Sequence, residues 1–115
     1  MKINDYLNMY NVKCKGWEGN RVRPRVRCRD GYTVSVQAGR GCYSYPERYS
    51  TYFQEVELGY PSMEDEKLTP YAENPDNLLG SVYGYVPVEL VDFILNKHGG
   101  IIGADFSNVN GKDWE

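Results

Sequence analysis

Apolar and polar residues alternate along two neighbouring stretches of this chain. In RVRPRVRCR, residues 21–29, Val22, Val26 and Cys28 alternate with Arg21, Arg23, Arg25, Arg27 and Arg29. In residues 32–38, Tyr32, Val34, Val36 and Ala38 alternate with Thr33, Ser35 and Gln37. A period of two is the mark of a strand with one buried face, so the pattern predicts two strands. It also sends all five guanidiniums out of the same face of the first strand. Pro24 lacks a donor for the ladder and marks that strand as an edge or bulged one. Between the two strands, Arg29-Asp30-Gly31 supplies a three-residue hairpin connection with glycine in the left-handed position. A third strand is predicted over about 52–58, with Gln54 among Tyr52, Val56 and Leu58 on one face and Glu55, Glu57 and Phe53 on the other. A fourth covers 81–86, and Ile101-Ile102 begins a short last one.

Helical spacing is clearest over 87–98. Val88, Val91, Ile94 and Leu95 share one face, Pro87 suits the first turn, His98 falls in the last, and Gly99-Gly100 is the stop. A shorter helix capped by Asn4 or Asp5 runs to about Tyr10, with Tyr6, Leu7 and Tyr10 as its apolar stripe. Residues 16–20 and 39–50 read as loops. Residues 61–80 are irregular and acidic, with Ser62 and Asp65 at capping spacing ahead of a short helical turn and Pro70 and Pro75 as breakers. Residues 108–115 read as a tail. The predicted fold is a single α+β domain, 1–115: a mostly antiparallel sheet of four or five strands with the helix at 87–98 packed on one face.

Charge changes this picture. The net charge is −3. Residues 1–48 carry ten Lys/Arg against four acids, +6, whereas residues 49–115 carry three Lys against twelve acids, −9. Such a split means either two functional faces or two halves that neutralise one another on folding. If the polar faces of the strands coincide, Glu55 and Glu57 lie near the arginines. Eleven of the sixteen aromatic residues are tyrosines, which serve equally as contact residues and as half-buried strand filler.

Candidate chemistry is sparse. Cys14, Cys28 and Cys42 lack CxxC or Cys/His spacing, so neither a zinc site nor a disulfide framework is predicted. His98 is the single histidine, and beside Gly-Gly it reads first as a helix-terminal residue. No phosphate loop, dinucleotide fingerprint or HExxH is present, and no cofactor is expected. No stretch approaches the length of a transmembrane helix, which leaves a soluble cytoplasmic protein as the expectation.

The arginine row survives this sorting. Strand geometry spreads five side chains over about 27 Å, suited to alternate phosphates or to an acidic protein groove. Arg40 and Arg48 with Tyr43, Tyr45 and Tyr49 extend the row with stacking groups of the kind used on single-stranded nucleic acid. Equally, alternating charge deters edge-to-edge aggregation, and internal acids are available as partners. The acidic residues from Glu55 to Asp76 offer a further reading, as a phosphate-like row presented to a basic nucleic-acid-binding protein.

The strings YTVSVQAGRGCYSYPER, EVELGYPS, PYAENP and VYGYVPVELVDFILNKHGG, spanning 32–100, resemble a group of small bacteriophage- and prophage-encoded proteins. The resemblance covers about three fifths of the chain and carries no catalytic residues with it. It implies an accessory protein acting inside the host cell, in a setting where small inhibitors of host defence, anti-CRISPR proteins among them, are frequent. The expected function is therefore a non-enzymatic binding protein that engages a host nucleic-acid-handling protein, such as a nuclease or defence effector, through its charged strands and the Arg/Tyr loop. Direct nucleic acid binding by the arginine row is the alternative, and a Cys-dependent enzyme a third.

Overall fold

The computed structural model describes residues 1–10, 12–13 and 21–108, with the backbone alone at 12–13, 21–22 and 108. The loop expected at 16–20, Cys14, the Arg21 side chain and the tail beyond residue 108 lie outside the described residues. Helix α1 spans Ile3–Met9. It is followed by strands β1 (Val12–Lys13), β2 (Arg21–Val22), β3 (Arg25–Cys28), β4 (Thr33–Gln37), β5 (Glu55–Gly59) and β6 (Val82–Pro87), helix α2 (Val88–Lys97) and strand β7 (Ile101–Asp105). Short 3-10 turns occupy Thr69–Tyr71, Leu78–Gly80 and Phe106–Asn108. The main sheet has the order β6-β5-β4-β3-β7 with every pair antiparallel, and β1 and β2 form a separate two-stranded ribbon. This is the α+β architecture predicted from the periodicities.

Alternation decides what the sheet buries. Val26 and Cys28, Val34 and Val36, Val56 and Leu58, and Tyr83 and Val86 all enter one core. Val88, Val91, Ile94 and Leu95 of α2 join them from a single helical face, and Ile3, Tyr6 and Leu7 of α1 complete the core. Each side chain of this size contributes about 1.5–3 kcal/mol when fully buried. The hairpin at 29–31 forms as predicted, with Gly31 at φ +97 and its N–H bonded to Cys28 O. At the end of α2, Gly99 (φ +89) and Gly100 (φ +86) turn the chain, and their N–H groups return to Asn96 O and Leu95 O.

Three details depart from the predicted pattern. Helix α1 starts before Asn4: Lys2 precedes it, and the Lys2 N–H donates to Asp5 Oδ2 at 3.2 Å. Asn4 instead clamps Phe53, with its Nδ2 donating to Phe53 O (3.0 Å) and its Oδ1 accepting the Phe53 N–H (2.9 Å). That clamp pulls Phe53 into the core while Tyr52 and Gln54 stay exposed, so β5 begins only at Glu55 and the faces expected over 52–54 are reversed. Pro87, expected inside the first turn of the helix, closes β6 and precedes α2, and the Val88 N–H bonds Gln54 O.

Asp92 on α2 accepts the Ile3 N–H at 2.7 Å and so ties the two helices together. Burial raises its pKa above the ordinary carboxylate value, with the Ile3 N–H acting in the opposite direction. A raised folded-state pKa means that the stability linked to this group is fully present below the unfolded-state value and is lost as pH rises through the folded value. Asn keeps the acceptor and removes the charge. Asp92→Asn should therefore gain on the parent protein as pH rises from about 4 to 7, read from urea unfolding at both pH values. A variant that loses ground over that interval would contradict the burial argument.

Candidate interaction site

The five-arginine row does not form. Period two holds in β3, where Val26 and Cys28 are buried, Arg25 is half-buried and Arg27 is exposed. Pro24 lies in the gap between β2 and β3, which belong to different sheets, and in that gap Arg23 turns inward until only 1% of it is exposed. Its Nη1 donates to Ala38 O at 2.7 Å and its Nε to Leu7 O at 3.3 Å. Its main chain is held on both sides by the Gln37 amide, with Arg23 N–H to Oε1 at 3.0 Å and Nε2 to Arg23 O at 2.8 Å. Arg23 is thus a structural clamp between α1, β3 and the end of β4, and not a contact residue.

Arg25 donates through Nη2 to Tyr60 O (2.6 Å) and Thr33 Oγ1 (3.1 Å), and it faces Asp105 across the β3–β7 register. The Ser107 N–H and hydroxyl, helped by the charges of Arg25 and Arg27, hold the Asp105 carboxyl below its usual range. Arg27 and Arg29 are exposed, and neither forms an ion pair among the described residues. Glu55 and Glu57 do not meet β3, because β4 lies between them. Among the described residues Lys97 forms an ion pair with Asp65 (2.6 Å), and His98 Nδ1 lies 2.7 Å from Asp30 Oδ2. Burial alone would raise Asp65, but the bonds from Lys97 and from the Lys67 N–H outweigh it and lower the carboxyl.

The loop at 39–50 builds a different site. Gly39 (φ +109) and Gly41 (φ +84) steer the chain away from β4, and buried Ser44 secures the turn by accepting the Gly39 N–H and donating to Pro46 O, both at 2.9 Å. Tyr45 then pairs with β5: its N–H donates to Glu55 O and its carbonyl accepts the Gln54 N–H, each at 3.0 Å. The Tyr43 N–H is taken by Glu57 Oε1 at 2.9 Å. The loop is consequently fixed to the sheet by main-chain and carboxylate bonds.

Opposite Glu57, strand β6 bulges. Between the pairs Leu58↔Tyr83 and Val56↔Val86, the two residues Gly84 and Tyr85 face a single residue of β5. Tyr85 adopts φ +54, a left-handed conformation that favours glycine. Its N–H donates to Tyr43 O at 2.9 Å and its hydroxyl to Glu47 Oε1 at 2.8 Å, the latter bond pushing the phenol pKa up. Its ring lies 5.9 Å from that of Tyr43. Gly84 makes this possible, since a Cβ there would come within 3.2 Å of Tyr43 Cβ.

Two grooves flank Tyr85. One, of about 590 Å³, is walled by Tyr45, Pro46, Glu47, Arg48, Glu55 and Tyr85. The other, of about 410 Å³, is walled by Tyr43, Pro70, Tyr71, Glu73, Gly84 and Tyr85. Of the residues singled out in the sequence, Tyr43, Tyr45 and Arg48 come together here, while Arg40 and Tyr49 are exposed and line neither groove.

Comparison with known proteins finds no matching family model, curated protein or solved structure. The site must be read from its geometry.

Among the described residues, neither Cys28 nor Cys42 forms a hydrogen bond with the His98 ring. Burial, with Asp30 nearby, pushes the Cys28 thiol up to about 11, and burial with Glu57 nearby does the same for Cys42, so both stay protonated at neutral pH. Cys28 Sγ contacts Leu95 O at 3.8 Å. His98 gives its Nδ1 to Asp30 and stacks its ring on Tyr32 at 4.0 Å. The Tyr32 N–H and then His98 lower the Asp30 carboxyl. Among the described residues no group of three or more His, Cys, Asp or Glu side chains could hold a metal ion, and no helix is long and apolar enough to cross a membrane.

Tyr85, Glu47, Tyr71 and Glu73 lie in strings that assign them no chemistry, and Glu73 stood out in the sequence only as a member of the acidic row. The available signal was Gly84, because a glycine inside a strand pattern points to a bulge or a close backbone approach. The left-handed tyrosine beside it is a product of the loop that packs there.

Proposed function

We propose that this protein is a non-enzymatic binding protein whose interaction face is the tyrosine surface of the 39–50 loop and the β6 bulge. The observation that carries this reading is Tyr85, held in a left-handed conformation by Tyr43 and Glu47 at the shared wall of two grooves. Strained conformations of non-glycine residues persist where the surroundings enforce them, and they cluster at functional positions. Tyr43, Tyr45 and Tyr85 are 48%, 58% and 42% exposed, although each is anchored through its main chain, so they offer preorganised contact area at low entropic cost. On the expectation of a phage accessory role, the partner is a protein of the host's nucleic-acid-handling or defence machinery, and the mode is inhibition by occupancy.

The test mixes the purified protein with individually purified host nucleases and defence effectors and measures complex formation by calorimetry. A stable complex that Tyr43→Ala with Tyr45→Ala weakens at least tenfold is the expected result. A complex indifferent to those changes would move the interface elsewhere, and no complex with any effector would count against the inhibitor role. A low-salt gel-shift assay with single-stranded DNA should be blank, because the continuous arginine row is absent. A salt-sensitive shift abolished by Arg27→Glu with Arg29→Glu would instead establish direct nucleic acid binding.

A further inference from the structure

We infer that the grooves on either side of Tyr85 each accept an arginine side chain of the partner, so that the face reads a pair of guanidinium groups. The inference rests on the tyrosine face being an interaction surface, and it adds the chemistry of what that surface recognises. Three observations on the two grooves carry it.

First, each groove joins aromatic rings to carboxylates. The larger sets Tyr45 and Tyr85 beside Glu47 and Glu55, and the smaller sets Tyr43, Tyr71 and Tyr85 beside Glu73. Planar guanidinium ions stack on tyrosine faces and take carboxylate oxygens through their edge, and they shed water more readily than an ammonium does. Second, the charge is one-sided. Three glutamates line the grooves against Arg48 alone, and the smaller groove has no basic side chain in its wall. Third, the acids are positioned. Glu47 is anchored through one oxygen, Oε1, by the Tyr85 hydroxyl. Glu55 is fixed by the Tyr45 main chain on one side and the β5–β6 pairing on the other, and Glu73 by its N–H bond to Val82 O. A carboxylate on a fixed backbone beside a fixed ring favours a directional donor over a diffuse cation.

Tyr85 belongs to the walls of both grooves, so the two guanidiniums would have it as a shared neighbour. A partner segment with arginines at positions i and i+2 sends both side chains out of one face when extended, and so offers two guanidiniums to this one surface.

The experiment titrates isotopically labelled protein with acetyl-Gly-Arg-Gly-Arg-Gly-amide and follows backbone amide NMR shifts, with the Lys and Leu counterparts of the peptide as comparators. The expected result is saturable shifts confined to residues 43–48, 55, 71–73 and 84–85, with the Arg peptide binding at least fivefold more tightly than the Lys peptide. Glu73→Gln and Glu47→Gln should each weaken the Arg peptide about threefold or more. Leu-peptide binding at the same residues, equal to or tighter than Arg, would overturn the arginine assignment while keeping the face as an interface. Equal Arg and Lys affinities would also overturn it, in favour of simple charge attraction. Shifts scattered over the acidic surface, or none at millimolar peptide, would overturn it too. The complex-formation test with Tyr43→Ala and Tyr45→Ala then decides separately whether the face binds a partner at all.

Discussion

Replacing Arg23 with methionine should lower the unfolding free energy by about 3 kcal/mol, a large share of the stability of a small domain. Methionine approximates the volume and flexibility of the side chain but returns no donor to Leu7 O or Ala38 O. Those carbonyls belong to α1 and to the end of β4, so the change unties two elements at once. Lysine should not rescue the loss, because a point charge on a flexible stem cannot reproduce a planar fork spanning two acceptors. Arg27→Met is the control, since Arg27 is exposed and forms no ion pair among the described residues. It should leave the urea midpoint near the parental value. Equal effects from the two substitutions would remove the distinction between a buried clamp and a surface arginine.

Tyr85→Gly should abolish association through the tyrosine face while leaving the urea midpoint at or above the parental value. Glycine adopts φ +54 without steric cost, so the backbone is relieved where the side chain is deleted. The lost bond from the hydroxyl to Glu47 is exposed and contributes little to folding. The main-chain bond from residue 85 to Tyr43 O survives the change, so the loop keeps its anchor. Loss of binding together with a marked fall in midpoint would mean that Tyr85 supports the fold, and its strain would then need another explanation. Unimpaired binding would remove Tyr85 from the interface.

The sheet and its helix were legible because their residues obey single periods. Val34 and Val36 in β4, Val26 and Cys28 in β3, and the α2 stripe all bury as their spacing requires. The errors fall where tertiary contacts override local pattern. Arg23 sits in register with Arg25 and Arg27, yet it falls with Pro24 in the gap between two sheets, where two distant carbonyls offer the guanidinium a better environment than solvent. Phe53 follows Tyr52 on the opposite face of a hypothetical strand, yet Asn4, forty-nine residues away in sequence, sets its direction. The candidate site was half visible. Tyr43, Tyr45 and Arg48 belong to a loop too long and too rich in Gly, Tyr and Arg to be a bare connection. Tyr85 and Glu73 come from other segments, and only the sheet order brings them to that loop.

The order β6-β5-β4-β3-β7 also bears on how the chain matures. Strand β3 and its hairpin partner β4 precede its second neighbour, β7, which ends at Asp105. If the hairpin forms during vectorial synthesis, β3 would keep one unpaired edge while some seventy further residues are added. Arg25 and Arg27 project from that waiting strand, and their charge repels copies of itself on neighbouring nascent chains. What remains of the arginine row in the finished protein would then also guard that edge in the interval before β7 arrives.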